Sequence, residues 1–319
     1  MFGSKTHNST LRQRLTRAAT VVTLLSFTMV GIAAAAEPIS FGVPSWPGER
    51  VKAEVASQIL DAAGYETSTT NASWIIALKA VSSGELSVDM ALWRPTQNSV
   101  LNPMLESNKV KLLATNIKDA QYDLVVPDYV WEAGVHSIAD LHKYADKFDH
   151  KIYGIESGND GNVLVQDAID ANQYELGDFK LVESSTAGMM SQAGNAMKQK
   201  QWVVFLGWKP HWMNIIYDIK YLDDPELMWG GASTVNTVVR PDFVTKHPNV
   251  SRFLQQMLIP AQVQSQWIND YGYKKEPLEK VASDWIKANP ELVGQWLEGV
   301  TTADGSRPAL QALKVSIGS

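Results

Sequence analysis

From Ile39 to about Asp223 short β-type runs alternate with helical stretches, and that alternation restricts the chain to βαβ units built on a mainly parallel sheet. The expected strands are 39–43, 88–93, 151–155 and 202–207. Between the first two lie helical patterns at 49–63 and 74–82, carried by Val51, Val55, Ile59 and Leu60 and by Ile75, Leu78 and Val81. Between the second two lie helical patterns at 163–171 and 186–200. Gly64 closes the first helix as a C-cap glycine. The two blocks resemble each other: helix, polar turn and strand lead to Trp93-Arg94-Pro95 in one and to Trp208-Lys209-Pro210 in the other. Trp46 precedes Trp93 by 47 residues and Asn159 precedes Trp208 by 49, so the chain reads as two related lobes.

After Pro225 the pattern turns helical, at 249–268, 276–288 and 290–297, with one strand near 235–239. This tail is expected to pack back on the first lobe. Lobe 1 is then discontinuous, 37–120 and 226–319, and encloses lobe 2 at 121–225. The chain crosses between them near 119–127 and 221–226, and two crossings make a hinge.

Residues 1–36 read as a secretory address, a signal peptide. Lys5, Arg12, Arg14 and Arg17 precede an apolar run from Ala18, and Ala34 and Ala36 suit cleavage before Glu37. The other reading, a retained anchor, needs a more strongly apolar run than one diluted by Thr20, Thr23, Ser26 and Thr28. Loss of the leader leaves 24 Lys+Arg against 34 Asp+Glu, a formal charge of about −10. Such a balance argues against nucleic acid, whose phosphates require basic patches. With no cysteine there is neither a disulfide nor a lipid-modified thiol, and the periplasm is the expected destination.

Ligands of open parallel sheets bind beyond the carboxyl ends of the strands. Of eleven tryptophans, Trp46, Trp93 and Trp208 fall there. Trp202 begins a strand, and Trp74, Trp267, Trp285 and Trp296 lie on helical patterns that read as core. Indoles converging on one cleft suit a cation that has no hydrogen-bond donors. Each cation–π contact contributes about 0.5–1 kcal/mol when wet and about 2 kcal/mol when desolvated, so three or four support roughly micromolar binding. Stacking on sugars or nucleobases is the alternative use, and few carboxylates or amides accompany these tryptophans. The turn 157–162 precedes a helix and reads either as an anion grip of free amides or as an ordinary helix cap.

Enzyme motifs are missing: there is no G-x-S-x-G elbow, P-loop, H-E-x-x-H or cysteine nucleophile, and no catalytic residue or cofactor is expected. His136, His142 and His150 raise a metal-binding alternative. Their spacings of six and eight residues do not share a helical face, and a solvated face accounts for them.

Three segments, 91–95 (Ala-Leu-Trp-Arg-Pro), 205–212 (Phe-Leu-Gly-Trp-Lys-Pro-His-Trp) and 221–225 (Tyr-Leu-Asp-Asp-Pro), resemble the periplasmic substrate-binding proteins of ABC importers for glycine betaine, choline, carnitine and related osmolytes. The likeness covers nearly all of the chain beyond the leader and is nearest to the choline-binding branch. It implies an α/β, two-lobed periplasmic binding protein of type II, the Venus-flytrap form, with a mixed, mainly parallel sheet in each lobe. It further implies an aromatic box of Trp46, Trp93, Tyr122 and Trp208 around the ammonium head, with Asn159 a polar contact from lobe 2. Gly48 stands where the choline branch carries an aspartate, and Glu49 follows it. The glycine-betaine branch holds the carboxylate with a side chain four residues past the second tryptophan and with amides of the turn, which the resemblance carries over to Gln97 and the 159–161 turn, with Asp160 and Gly161. The expected ligand is therefore a carboxylated betaine such as glycine betaine or carnitine first, choline second, with another small cation or zwitterion as the alternative. The partners so implied are a membrane permease and its ATPase, and the protein is expected to be a monomer.

Overall fold

A computed structural model describes residues 37–316 and 318, so the leader expected at 1–36 lies outside the described residues. Among these, nine strands form one mixed sheet: β1 (Ile39–Val43), β2 (Thr67–Asn71), β3 (Val88–Arg94), β4 (Lys111–Pro127), β5 (Lys151–Tyr153), β6 (Lys180–Val182), β7 (Phe205–Lys209), β8 (Ile219–Tyr221) and β9 (Ser233–Val239). Their order is β2-β1-β3-β9-β4-β7-β5-β6, with β8 also paired to β4. In the first half β1 lies parallel to β2 and β3; in the second β5 lies parallel to β6 and β7.

The 17-residue β4 organises the molecule. Residues 111–120 pair antiparallel with β9, residues 121–125 with β7 and residues 125–127 with β8. Since β3 opposes β9, β9 opposes β4 and β4 opposes β7, strands β3 and β7 run towards each other along β4. At its end β3 pairs Arg94 with Thr234, beside the Ala120–Ser233 pair, and β7 ends by pairing Lys209 with Gln121. The carboxyl ends of the parallel strands in both halves therefore meet at the middle of β4. This convergence is where an open sheet binds its ligand.

Local sequence accounts for the elements that flank this meeting point. Helix Pro47–Ala62 starts two residues before the expected 49, because Pro47 occupies its first turn, where a missing N–H costs nothing. It buries Val51, Val55, Ile59 and Leu60 completely, and Gly64 ends it at φ 83°. Helix Trp74–Ser83 lies so close to β1 that a Cβ on Gly42 would stand 2.8 Å from that of Ala77. The helix expected over 249–268 is two, Pro248–Gln256 and Ala261–Ile268, because Pro260 cannot continue the ladder and the Ile259 N–H turns instead to Asn116 O at 2.7 Å. Ala261–Ile268 packs against Pro47–Ala62, as do Leu278–Ala288 and Ala309–Ser316, whereas Pro248–Gln256 packs on β4. The strand expected to open at Trp202 opens at Phe205. Trp202 lies ahead of it, half-buried between Tyr144 and Phe148.

Candidate functional site

Trp46 occupies the N-cap position of helix Pro47–Ala62, just beyond β1, and its carbonyl accepts from the Glu49 and Arg50 amides. Trp93 is the penultimate residue of β3, and Trp208 that of β7. Tyr122 pairs with Trp208 across the ladder, which puts both rings on one face of the sheet. All four line a single cavity at the convergence of the strand ends. Tyr122 is wedged between the two indoles, 5.8 Å from the Trp93 centroid at 61° and 5.9 Å from the Trp208 centroid at 80°. Behind it Trp229, fully buried, packs at 4.8 Å. The aromatic wall is thus braced from outside and presents ring surface inwards.

The second half of the molecule supplies the polar end. Asn159 caps helix Asp160–Asp170: its Oδ1 accepts from the Gly161 amide and from the Tyr122 hydroxyl, each at 2.8 Å. A Cβ on Gly161 would run into that hydroxyl, so only glycine lets the helix end approach Tyr122. Burial, with Asp160 and Glu156 nearby, pushes the Tyr122 phenol well up, so it keeps its proton and donates. Asp160 lines the cavity, and burial pushes its carboxyl up against the opposing hydrogen bond of Gln97.

Two contacts join residues from opposite ends of β4. The Trp46 indole N–H donates to Glu156, whose carboxylate also accepts from the Thr186 amide and hydroxyl at 3.3 and 3.2 Å. Gln97 Nε2 donates to Asp160 Oδ1 at 3.3 Å while its Oε1 accepts from the Trp93 amide at 2.9 Å. Gln97 therefore sits behind Trp93 and not on the cavity wall. Gly161 likewise lies beneath the Tyr122 hydroxyl. Gly48 and Glu49 do line the cavity, the latter ion-paired with Lys52 at 2.8 Å. Lys52 is fully buried and also donates to Met90 O and Asn116 Oδ1.

Ile155, Thr186, His211, Gln264 and Ile268 also reach the wall, and the sequence reading did not single them out. Burial lowers the His211 imidazole to about 3, so the ring is neutral; Nδ1 accepts from the Met213 amide and Nε2 carries the hydrogen. The histidines of the metal alternative take separate partners. His136 packs against Trp131 at 4.7 Å with the rings tilted by 43°, His142 lies 3.9 Å from Glu175 and His150 pairs with Asp146 at 2.9 Å. Among the described residues no group of three or more His, Asp or Glu side chains is placed to share a metal.

A mixed sheet whose strand ends converge on an aromatic-walled pocket defines a solute-binding α/β protein. Among the described residues no helix is long and apolar enough to cross a membrane. The chain belongs to the OpuAC family, the substrate-binding domain of ABC-type glycine betaine transport systems, which it matches over residues 37–288. The family is a transporter component and not an enzyme class. The chain is 34% identical over 160 residues to the glycine betaine/carnitine transport binding protein GbuC of Listeria monocytogenes serotype 1/2a (strain 10403S), covering 50% of this chain and 53% of that protein. A choline-binding protein of an ABC transporter, solved with choline, superposes with a TM-score of 0.84 at 33% identity over 88% of this chain and 98% of that one. The lactococcal OpuAC in its closed form with glycine betaine superposes at 0.75 and 29% identity, over 82% and 99%.

Proposed function

We propose that this chain is the extracytoplasmic binding component of an importer and that it captures a quaternary ammonium solute in a cage of Trp46, Trp93, Tyr122 and Trp208. The observation that carries this reading is the Tyr122 ring held edge-on between Trp93 and Trp208, with Trp46 closing the same cavity. A trimethylammonium group can donate no hydrogen bond, so its attraction comes from ring faces and from burial of its methyls. Glycine betaine, carnitine and choline all carry that head. The solute is then passed to a membrane permease driven by its ATPase.

Residues 37–120 with 226–319, and 121–225, act in this reading as the two lobes of a clamp. Its pivot lies at Ala120 and Gln121, where β4 changes partner from β9 to β7. Trp46–Glu156 and Gln97–Asp160 are the contacts that form as it shuts. Calorimetry with the three solutes tests the cage. Trp93→Ala and Trp208→Ala should each weaken binding by at least about tenfold, the loss of one desolvated contact of about 2 kcal/mol. A change below about twofold in both variants would remove these residues from the cage.

A further inference from the structure

We infer that Gln264 selects the far end of the ligand, and that it selects a hydroxyl over a carboxylate. This rests on the cage reading above. Gln264 belongs to helix Ala261–Ile268, is 2% exposed and lines the same cavity as the four aromatic residues. It reaches there because residue 48 is glycine. A Cβ on Gly48 would stand 2.6 Å from Gln264 Nε2 and 2.8 Å from Ile268 Cδ1, so any side chain at 48 would expel the amide.

The amide is oriented by what lies beside it. Nε2 points to Glu49 Oε1, a long contact at 3.5 Å, and Glu49 is held as an acceptor by Lys52. Turning the amide over would set its oxygen against that carboxylate. Oε1 is left buried without a partner, and a buried acceptor in that condition is costly until something donates to it. A ligand hydroxyl donates. A carboxylate cannot, and it would face the amide oxygen with the Glu49 charge directly behind.

Three of the donors that the sequence assigned to a carboxylate are already engaged: Gln97 Nε2 by Asp160, the Gly161 amide by the Asn159 side chain and the Asn159 amide by Glu156 O. Asp160 Oδ2 and His211 Nε2 are the other unpartnered polar atoms on this wall. The His211 N–H can give one bond to a hydroxyl oxygen, which has lone pairs to accept it while its own hydrogen goes to Gln264. The order of ligands thus becomes choline-like alcohols before glycine betaine, the reverse of the order expected from the sequence.

Calorimetry on residues 37–319 decides the matter, using choline, propyltrimethylammonium (the same shape without the hydroxyl), glycine betaine and tetramethylammonium. The unaltered protein should bind choline at least about tenfold more tightly than propyltrimethylammonium and than glycine betaine. Gln264→Met, close in shape but without the amide, should bring choline within about threefold of propyltrimethylammonium and leave tetramethylammonium unchanged. An undiminished choline preference in Gln264→Met overturns the inference, as does glycine betaine binding more tightly than choline. Equal losses for choline and tetramethylammonium in Gln264→Met make the residue merely structural and overturn it too. Failure of the cage reading looks different: tetramethylammonium would bind Trp93→Ala as well as the unaltered protein, or none of the four would bind at all.

Discussion

At the scale of single residues, the side chains legible in advance were those whose role follows from their place on a strand. Trp46, Trp93 and Trp208 could be picked out because a strand-end tryptophan has few other reasons to be there, and all three line the cavity. Gln264 and Glu156 gave no such signal. One is an ordinary glutamine on a helix of the tail, the other an ordinary glutamate in a turn, and each matters only through a neighbour more than a hundred positions away. Asp123 is a residue whose effect on stability can be given a sign. Burial pushes its carboxyl up to about 8, with Asp224 and Asp223 adding to the shift. A carboxyl raised on folding favours the protonated native state, so its contribution is present at low pH and is lost as pH rises from about 4 towards 8. Asp123→Asn should therefore gain thermal stability relative to the unaltered protein on going from pH 5 to pH 8. Melting curves at the two pH values check this, and an offset that does not change with pH would count against it.

Individual elements were legible where one segment carries its own pattern. β1 was placed at its observed bounds, and helix Trp74–Ser83 to within one residue. β4 was not read as a strand, since its middle, Asn116 to Asp123, is largely polar and its pairing with β9 is broken by register shifts. Its partners come from far along the chain, so no local window contains the reason for it. Helix Asp160–Asp170 shows the opposite case, a cap that also serves the cavity. Asn159→Ala removes the acceptor of both the Gly161 amide and the Tyr122 hydroxyl. Loss of a cap costs about 0.5–2 kcal/mol and stranding a buried hydroxyl about 1–3 kcal/mol. Urea unfolding should show a fall in that range, together with weaker solute binding because Tyr122 is no longer held. Stability unchanged within about 0.5 kcal/mol would mean that the cap is dispensable.

At the scale of the whole molecule, the clamp proposed above predicts a change of shape on binding. In the proposed clamp the polar links between the two walls of the cleft are Trp46–Glu156 and Gln97–Asp160, beside the packing of Tyr122 on Trp93 and Trp229, and polar links of this kind contribute little until a solute lies between the walls. Solution scattering should therefore show a larger radius of gyration without solute than with it, and equal radii would argue for a rigid body. The two-lobed reading came from an internal likeness between chain segments, whereas the shared sheet could not be foreseen, because it depends on one strand serving both sides.

That strand order has a consequence for how the chain is made. β9 lies between β3 and β4, and the helices that cover Pro47–Ala62 come from beyond residue 260. Residues 39–100, as they are made, thus lack both the strand that joins their sheet and the surface that buries helix Pro47–Ala62. Contacts so distant in sequence form late, after the entropy of closing a long loop has been met. The half of the fold built on β1, β2 and β3 can therefore close only once residues 233–239 and the helices beyond 260 are at hand.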